Sequence, residues 1–348
     1  METALKIGTI LQNGKYTIVK SLGQGSFGIT YLATMPTMIE GPLGRIKADV
    51  QVAIKEFFMA DLNYRAIDGR NVERTNSSIA VNYLYKFQKE ADNLAKLNHR
   101  NIVKILEVFS ENQTAYYVME LIDGITLDEY IKRRGKLPEH EALMILQRLC
   151  SAISHMHEHR MLHLDIKPNN IMIDKSYRII LIDFGLSKQY TDNGEPESST
   201  SIGLGTNGYA PLEQASFKQD GTFPATLDVY ALGATYYKML VGQTPPNSST
   251  ILNDGLPIEL LKQSGISSAT ISVLEKAMAP MRKMRYQSAI ELFEDILGSS
   301  NDCAENKIDE YARSDESTII NTSKRNNINF SDVACNSEAD SMLTQYAT

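Results

Sequence analysis

Hydrophobic and polar positions follow two different patterns along this chain. Between residue 16 and about residue 121, short runs mix β-branched and aromatic residues and end at glycine, asparagine or charged residues, which predicts strands. The predicted strands are Tyr16–Leu22, Thr30–Ala33, Gln51–Phe57, Ile102–Phe109 and Ala115–Leu121. One predicted helix, near Val81–Leu97, interrupts them.

From residue 125 to residue 298, apolar positions recur mainly at helical spacing. Glu139–His159 is the clearest example, and Pro138 marks its start. A strand-rich part followed by a helix-rich part predicts two lobes of the α+β class with a crevice between them. Two segments, Thr34–Asp49 and Met59–Ala80, interrupt the strand-rich part, and we expect surface loops or a small added hairpin there.

Residues 299–348 differ from the rest of the chain. They are rich in asparagine, serine and acidic residues and show no hydrophobic periodicity. Such a composition cannot bury enough apolar surface to offset the entropy of ordering. The sequence therefore predicts a disordered, acidic tail.

Composition and charge exclude several classes of protein. The 348 residues carry a formal net charge of -7 and no basic stripe, which argues against nucleic acid as a partner. The three cysteines form no CxxC pair, so we expect neither a disulfide framework nor a structural zinc site. The N-terminus lacks a signal-peptide pattern and no apolar run reaches about 18 residues, which predicts no membrane segment and a cytoplasmic location.

A glycine-rich stretch from Leu22 to Thr30 contains Gly23, Gly25 and Gly28 at the spacing GxGxxG. Glycines let backbone amides approach phosphate oxygens, because no Cβ intervenes. The same spacing occurs in dinucleotide-binding proteins, but that interpretation requires a helix directly after the glycines. A predicted strand follows instead, which favours a hairpin over phosphates; a glycine-rich hairpin without a ligand is the alternative.

Lys55 ends an apolar stretch of a predicted strand, where a buried and unpaired ammonium would cost free energy. Either its side chain reaches water at the edge of the sheet, or it pairs with phosphates and a carboxylate. The predicted helix Val81–Leu97 supplies Glu90 as that carboxylate. The order of Lys55 after the glycine-rich stretch favours the second interpretation.

The segment from His163 to Ile171 mixes polar and apolar residues with proline and asparagine, which predicts a structured loop. A short predicted strand, Ile179–Ile182, leads to a second loop with the sequence DFG. Oxygen donors on two such loops can hold magnesium, and a carboxylate beside a lysine can orient a hydroxyl nucleophile. Four side chains are the candidates for this chemistry: Asp165, Lys167, Asn170 and Asp183.

Taken in order, these segments resemble the eukaryotic-type protein kinase family over residues 14 to 298. The sequences GYAPLEQ and IKEFF are similar to those of bacterial members. The matching segments are GQGSFG, VAIK, Glu90, HLDIKPNN, DFG, GTNGYAPLE at 205–213, Asp228 in LDVYALG, and Arg285. The resemblance implies a bilobal protein-kinase fold. A small antiparallel β-sheet lobe with one helix would span residues 14–121 and a larger, mostly helical lobe residues 122–298, after an extension of residues 1–13.

The resemblance also implies the catalytic roles. Asp165 would accept or orient the proton of the substrate hydroxyl, and Lys167 would stabilise the moving γ-phosphoryl group. Asn170 and Asp183 would hold Mg²⁺, with Mn²⁺ as a possible substitute. Lys167 together with Thr206 favours serine or threonine in a protein substrate as the acceptor, since tyrosine kinases usually carry other residues at both places.

For ATP, the resemblance implies that Lys55 binds the α- and β-phosphates and pairs with Glu90. The backbone of residues 120–122 would hydrogen-bond the adenine, with Met119 guarding a pocket behind it. The full set of residues expected at the nucleotide comprises Leu22, Gly23, Gly25, Ser26, Phe27, Gly28, Thr30, Ala53, Lys55, Met119, Glu120, Ile122 and Met172.

Other matching residues are expected to serve structure. Asp228 would cap the backbone of the catalytic loop, and Glu213 would form a buried ion pair with Arg285. A hydrophobic column would contain Phe184, His163, Leu94 and Ile105. Three histidines near the end of Glu139–His159 could suggest a metal site, but a solvated helix end is the interpretation we favour for them: His155, His157 and His159.

Two residues depart from the family pattern. Thr30 stands where a valine usually covers the adenine, which removes a little apolar contact. Leu164 replaces the common arginine that pairs with a phosphorylated activation loop. We therefore hypothesise that activity needs no loop phosphorylation, although four hydroxyl residues leave autophosphorylation open: Ser198, Ser199, Thr200 and Ser201.

Three other functions compete with an active protein kinase. A pseudokinase scaffold would lack catalytic residues, but every one that we name is present. A small-molecule phosphotransferase usually lacks a segment like Gly205 to Glu213, which positions a peptide. A dehydrogenase would rest on the glycines alone and would need a helix after them.

Overall fold

The structure is a computed structural model that describes residues 3–25, 27–41, 44–75, 77–185, 187–190, 205–214 and 223–301. The chain divides into two compact units, Met1–Asp123 and Gly124–Thr348. Ser26, the activation-loop residues 198–201 and residues 302–348 of the predicted tail lie outside the described residues. The boundaries that the sequence predicts, after residues 13, 121 and 298, stay predictions.

The described part of the first unit contains eight strands and one long helix: β1 (Ile10–Leu11), β2 (Tyr16–Gln24), β3 (Gly28–Gly41), β4 (Gly44–Phe57), β5 (Asn63–Arg65), β6 (Val72–Arg74), α1 (Ser77–Leu94), β7 (Ile105–Glu111) and β8 (Thr114–Glu120). Six of the strands form one sheet in the order β1-β2-β3-β4-β8-β7. Every pair in it is antiparallel. The remaining two, β5 and β6, form a separate antiparallel hairpin.

Both inserted segments form hairpins, one of the two forms expected for them. The register of β3 with β4 runs without a break to the Gly41–Gly44 pair at the tip. The neighbouring strands pair with this hairpin only as far as Thr34 on β3 and Val52 on β4. The first insertion is therefore an extension of the β3–β4 hairpin beyond the sheet, and the second insertion contains the β5–β6 hairpin.

The two faces of the sheet bury different residues. On one face α1 packs through Phe87, whose ring centroid lies 5.5 Å from that of Phe57 and 5.2 Å from that of Tyr117. The opposite face buries a cluster that includes Tyr16, Ile18, Tyr31, Ile54, Tyr116 and Val118. Because successive strand residues point to opposite faces, Lys55 lies on the α1 face and Glu56 on the other.

The described part of the second unit is mostly helical: β9 (Gly124–Thr126), α2 (Leu127–Arg134), α3 (Glu139–Glu158), β10 (Met161–Leu162), β11 (Ile171–Asp174), β12 (Ile179–Leu181), β13 (Lys188–Gln189), α4 (Thr226–Val241), α5 (Ser248–Asp254), α6 (Ile258–Gln263), α7 (Ser268–Ala277) and α8 (Ala289–Asn301). Its short strands form a three-stranded sheet in the order β12-β11-β9 and a two-stranded pairing of β10 with β13. The strands therefore flank the loops that carry the candidate residues.

Helix α4 is the core of the second unit, and its residues from Thr226 to Leu240 are all buried. It packs against α3, α7 and α8. Gly242 ends the helix with a φ of 78°, and a Cβ there would lie 1.9 Å from the carbonyl oxygen of Gly135. Only glycine fits at this position, because the left-handed backbone and the close approach of the α2 C-terminus both exclude a side chain.

The expected fold class is confirmed, with an antiparallel sheet and one helix in the smaller unit and a mostly helical larger unit. Helix α1 begins at Ser77 and ends at Leu94, earlier at both ends than predicted. The N–H groups of Lys96 and Leu97 bond to carbonyls three residues back, and this tighter turn ends the helix. Among the described residues, no helix combines the length and apolar character needed to cross a membrane.

Candidate active site

Asp165 lies between β10 and the short 3-10 turn Pro168–Asn170. Its side chain forms a hydrogen-bonded ring with those of Lys167 and Thr206. Thr206 Oγ1 donates to Asp165 Oδ1 at 2.7 Å, and Lys167 Nζ donates to Asp165 Oδ2 at 2.8 Å. Lys167 Nζ also donates to Thr206 Oγ1 at 2.8 Å. The ring orients both carboxylate oxygens while the Asp165 side chain keeps 14% of its surface exposed, so an incoming hydroxyl can still reach it.

Asn170 adds a third contact to the same carboxylate. Its Nδ2 donates to Asp165 Oδ2 and to the Asp165 carbonyl oxygen, both at 2.9 Å. The Ile182 N–H donates to the carbonyl oxygen of Asn170 at 2.8 Å, as β11 and β12 begin their pairing. This backbone hydrogen bond brings Asp183, the next residue in the chain, beside the catalytic loop.

Asp183 has a left-handed backbone with a φ of 56°, which is uncommon for a residue with a side chain. Its Oδ1 accepts a hydrogen bond from the Gly185 N–H at 3.3 Å. The following Phe184 is buried, with its ring centroid 5.0 Å from that of His163. The structure thus joins two members of the expected column, and the contribution of Leu94 and Ile105 stays a prediction.

Asn170 and Asp183 offer oxygen donors, the type of ligand that Mg²⁺ and Mn²⁺ accept. Within the described ranges, no group of three or more histidine, cysteine, aspartate or glutamate side chains is arranged to hold a metal. One carboxylate and one amide do not complete a cation's shell. They do fit a site that phosphate oxygens and water complete, as is usual for magnesium.

The loop that carries Asp165 is held in place by Asp228, which lies at the start of α4. Its buried carboxylate accepts hydrogen bonds from the backbone N–H of His163 at 3.0 Å and of Leu164 at 2.8 Å. His157 Nε2 lies 2.9 Å from the same carboxylate. Burial opposes ionisation, but the hydrogen bond from His157, its charge and the backbone donors outweigh it and lower the pKa of Asp228.

The prediction of a solvated helix end is wrong for His157, whose side chain is only 9% exposed and contacts Asp228. The signal was available, because His157 follows Ile153 by four residues and so lies on the apolar face of α3. His155 keeps more exposure and faces Glu158 at 3.8 Å. The histidine run therefore contributes a buried partner for Asp228, which sequence reasoning missed.

Leu164, the residue that departs from the family pattern, is buried and has a left-handed φ of 65°. It belongs to an apolar cluster with Leu162, Tyr190 and Leu227, against which Phe223 packs. Its carbonyl oxygen accepts a hydrogen bond from Gln214 Nε2 at 2.8 Å. Leu164, the residue before Asp165, is thus surrounded by apolar side chains.

The expected ion pair between Glu213 and Arg285 is present. Arg285 Nη1 donates to Glu213 Oε1 at 2.5 Å and Nη2 donates to Oε2 at 3.2 Å, a bidentate arrangement. Arg285 is buried and also donates to the carbonyl oxygens of Ala279 and Pro280. The pair ties the segment after Thr206 to the loop before α8.

In the first unit, the predicted glycine-rich stretch is the turn between β2 and β3. The Gly25 N–H donates to the Gly28 carbonyl oxygen at 2.8 Å. A Cβ at Gly28 would lie 2.3 Å from the carbonyl oxygen of Glu56, so the close approach of β3 to β4 at this position requires glycine. A strand follows the glycines, which excludes the dinucleotide-binding interpretation. The other expected residues on these two strands are Leu22, Gly23 and Thr30, with Phe27 in the turn.

Lys55 lies on β4, directly opposite Thr30 on β3 and Tyr117 on β8. Its side chain is buried, with Nζ 5.9 Å from the centroid of the Tyr117 ring. Phe87 of α1 packs on that ring, and Glu90 follows Phe87 by three residues, on the same helix face. This arrangement directs the face of α1 that bears Glu90 toward the strand position of Lys55.

The residues expected around adenine are distributed over both units. Ala53 and Met119 are cross-strand neighbours on β4 and β8, and Glu120 ends β8 opposite Val52. Ile122 follows as a buried residue at the end of the first unit. Met172 belongs to the second unit, where it pairs with Ile180 and Thr126 in the three-stranded sheet.

Comparison with known proteins adds an independent finding. Residues 69–301 match the family model described as the protein kinase domain, a span that begins after the glycine-rich turn and Lys55. The serine/threonine-protein kinase PrkC of Bacillus subtilis is 29% identical over 291 residues, which cover 82% of this chain and 40% of that protein.

Two further similar proteins are also described as serine/threonine-protein kinases. The serine/threonine-protein kinase PknB of Mycobacterium tuberculosis is 30% identical over 231 residues, 63% of this chain and 36% of the relative. The probable serine/threonine-protein kinase PknB of Lactococcus lactis is 28% identical over 304 residues, 85% of this chain and 44% of the relative. The chain thus spans less than half the length of the curated relatives it matches.

Proposed function

Because the chain belongs to the protein kinase family, we propose that it transfers the γ-phosphoryl group of ATP to serine or threonine hydroxyls of protein substrates. The observation that carries the proposal is the ring formed by Asp165, Lys167 and Thr206. A carboxylate held by a lysine and a threonine hydroxyl is suited to orient an alcohol for attack on a phosphoryl group.

In the proposed reaction, Asp165 accepts a hydrogen bond from the substrate hydroxyl and directs its oxygen toward the γ-phosphorus. Lys167, held 2.8 Å from Asp165, places its ammonium where charge develops on the phosphoryl oxygens. The family uses ATP with a divalent cation, and we propose Mg²⁺, held by Asn170 and Asp183. When bound, the cation offsets the negative charge of the phosphate oxygens.

We assign the phosphates to the glycine-rich turn and to Lys55, with Glu90 as the carboxylate that pairs with its ammonium. Cross-strand positions support an adenine site at Ala53 and Met119, continued by the backbone of residues 120–122. The family resemblance adds Met172 to the proposed adenine residues. The remaining residues assigned to the nucleotide are Leu22, Gly23, Gly25, Ser26, Phe27, Gly28 and Thr30.

The preference for serine or threonine rests on Thr206. Its hydroxyl bridges the catalytic carboxylate and Lys167, as the family resemblance implies for enzymes with these acceptors. The serine/threonine kinases among the relatives support the same preference.

We propose that activity is independent of loop phosphorylation, since Leu164 is buried in an apolar cluster and offers no charge for a phosphate. Autophosphorylation within 198–201 is compatible with this proposal. We also propose a cytoplasmic location, which cell fractionation tests, and domain boundaries after residues 13, 121 and 298, which limited proteolysis tests.

The direct experiment is phosphorylation of a peptide array by the purified chain with ATP and Mg²⁺, with Asp165→Asn as the matched control. Transfer to serine or threonine peptides by the wild type, lost in the control, supports the proposal. A protein that binds Mg·ATP without turnover would be a pseudokinase, and transfer only to small-molecule hydroxyls would make it a different phosphotransferase. Either result overturns the proposal.

A further inference from the structure

The residue after Lys55 carries a buried charge that the proposed reaction does not use. Glu56 is fully buried on the face of the sheet opposite α1. Its carboxylate accepts four hydrogen bonds, from Arg65 Nη1 at 2.8 Å, Arg65 Nη2 at 2.6 Å, the Tyr31 hydroxyl at 2.6 Å and the Tyr116 hydroxyl at 2.9 Å. These are the four directions in which a carboxylate can accept.

Arg65 comes from the inserted β5–β6 hairpin, and its guanidinium is equally satisfied. Besides Glu56, it donates to the carbonyl oxygen of Thr3 from Nε at 3.0 Å and Nη2 at 2.7 Å, and to that of Arg70 from Nη1 at 2.8 Å. The guanidinium carbon lies 5.2 Å from the centroid of the Phe58 ring. All five N–H donors of the arginine are therefore used.

The N-terminal segment joins the same network. The Leu5 N–H donates to the Tyr31 hydroxyl at 3.0 Å, and the Leu5 side chain is buried in the sheet cluster. Burial, followed by the negative charge of Glu56, raises the pKa of both tyrosines, Tyr31 and Tyr116. Both hydroxyls therefore remain protonated donors. The network, defined as Glu56, Arg65, Tyr31 and Tyr116, ties the insertion and the N-terminal segment to β3, β4 and β8.

Three residues of this network, Tyr31, Glu56 and Tyr116, lie in the six-stranded sheet, and each directly follows or precedes in the sequence a residue at Lys55. Thr30 precedes Tyr31 on β3, Lys55 precedes Glu56 on β4, and Tyr117 follows Tyr116 on β8. Thr30, Lys55 and Tyr117 are cross-strand neighbours, and Glu56 is directly opposite Tyr116. Because successive residues point to opposite faces, fixing the network on one face fixes the backbone that carries Lys55 on the other.

A buried ion pair is weak evidence for stability, because apolar side chains of similar volume often stabilise a fold as well or better. What a fully satisfied network adds is a single geometry. We propose that Glu56 is a positioning residue for Lys55, and that the inserted β5–β6 hairpin and the N-terminal segment act on the nucleotide site through it. This inference rests on the proposed function, in which Lys55 binds the phosphates of ATP.

The same sheet contains a matched control. Tyr16 donates its hydroxyl to Glu107, as Tyr116 does to Glu56. Both rings stack on Phe109, at centroid distances of 5.9 Å for Tyr16 and 5.0 Å for Tyr116. The residues opposite Lys55 lie on β3 and β8, the two strands that flank β4. Tyr16 lies on β2 and Glu107 on β7, which are each one strand further from Lys55.

The first test compares Tyr116→Phe with Tyr16→Phe, since both variants remove one hydroxyl and keep the ring. We expect Tyr116→Phe to lower kcat/KM for ATP roughly fivefold, which is less than the roughly tenfold or more of a direct hydrogen bond to a charged group, because the loss reaches Lys55 only through the backbone. Tyr16→Phe should stay within about twofold of the wild type on the same scale. Equal losses in the two variants, or no loss in Tyr116→Phe, would overturn the proposal.

The second test separates position from stability with the double variant Glu56→Gln/Arg65→Met, which removes both buried charges together. We expect its Tm to stay near that of the wild type while kcat/KM for ATP falls on the order of tenfold or more. If Tm and kcat/KM both stay at the wild-type values, the positioning role is overturned. If kcat/KM falls only together with Tm, the network stabilises the fold and does not position Lys55. If this variant fails to fold, the comparison of Tyr116→Phe with Tyr16→Phe still tests the positioning role.

The two proposals fail in different ways. Affinity for ATP, measured by titration with a fluorescent ATP analogue, is recorded for every variant beside turnover. A wild type that binds the nucleotide but transfers no phosphoryl group to peptides contradicts the proposed function, and the network is then judged on nucleotide affinity alone. An active wild type whose nucleotide affinity and kcat/KM are unchanged by Tyr116→Phe contradicts only the positioning role.

Discussion

The hydroxyl of Thr206 donates a hydrogen bond of 2.7 Å to Oδ1 of Asp165, although the two residues lie 41 positions apart in the sequence. Lys167 bonds to both partners, so the carboxylate, the ammonium and the hydroxyl hold one another. The segment around Thr206 thereby fixes the orientation of the carboxylate. A movement of that segment would therefore change the orientation of the Asp165 carboxylate, which in the proposed reaction orients the substrate hydroxyl.

Replacing Asp165 with asparagine should remove most of the activity without unfolding the protein. An amide of nearly the same size keeps the shape of the loop but cannot accept the proton of the substrate hydroxyl. General-base positioning of this kind contributes on the order of 10²–10⁴-fold to a rate, so we expect kcat to fall about 10³-fold. Steady-state kinetics with an acceptor peptide and a thermal unfolding scan check both parts. A variant that keeps more than about a tenth of wild-type kcat would remove Asp165 from the centre of the mechanism.

Replacing Thr206 with valine tests whether the bridge orients Asp165. Valine has the shape of threonine but no hydroxyl, so both hydrogen bonds of the bridge are lost. A hydrogen bond to a charged group contributes roughly 1.5–3 kcal/mol, and we expect kcat with a serine peptide to fall roughly tenfold or more. Thr206→Ser restores the hydroxyl and should restore most of the rate. Equal activity of the valine and serine variants would show that the bridge has no part in catalysis.

Asp183 should be needed for the metal and not for the nucleotide itself. Asp183→Asn removes the single carboxylate of the proposed cation site, and we expect kcat to fall on the order of 10³-fold at fixed Mg²⁺. Binding of ATP measured without a divalent cation should be the same in the variant and the wild type. Titration with Mg²⁺ and then Mn²⁺ separates the two effects. A variant whose activity and Mg²⁺ dependence match those of the wild type would exclude Asp183 as a ligand.

Much of the site follows from local sequence, because its residues lie on short loops bounded by strands. The order of Asp165, Asn170 and Asp183 fixes the loops, and the pairing of β11 with β12 brings the loops together. Helix α3 begins at the predicted Glu139, since Pro138 and the apolar spacing mark the same position. Local signals of this kind require no knowledge of tertiary contacts.

The rest depends on contacts between distant segments, which no local pattern records. Glu56 and Arg65 look like ordinary surface charges in the sequence, and only the docking of the insertion buries them as a pair. The position of His157 on the apolar face of α3 indicates burial, but its partner, Asp228, lies 71 residues away and no local pattern identifies it.

Loop phosphorylation should not control activity. Leu164 places an apolar side chain where a cation would be needed to bind a phosphate, so a phosphorylated loop gains no partner there. Alanine at Ser198, Ser199, Thr200 and Ser201 together should keep kcat within about threefold of the wild type. Phosphate content by mass spectrometry accompanies the assay. A large loss of kcat in the fourfold variant would contradict the hypothesis.

Asp228 should be the residue whose loss destabilises the catalytic loop most strongly. In Asp228→Asn the amide NH₂ or a weaker acceptor faces the N–H groups of His163 and Leu164, and His157 loses its charged partner. Removing one member of a buried charged network costs about 3–5 kcal/mol, so we expect a large fall in the free energy of unfolding. Chemical denaturation of the variant and the wild type at pH 7 measures the difference.

The pH dependence of that difference gives a second, independent check. The pKa of Asp228 in the folded protein is below its ordinary value, so its stabilising contribution is fully present above the pKa of the unfolded chain, near 3.9. The contribution is lost as the pH falls through the lower folded-state pKa. The gap between wild type and Asp228→Asn should thus shrink as the pH falls from about 4 toward 3. A gap that widens with acid would mean that Asp228 is protonated in the folded protein at neutral pH.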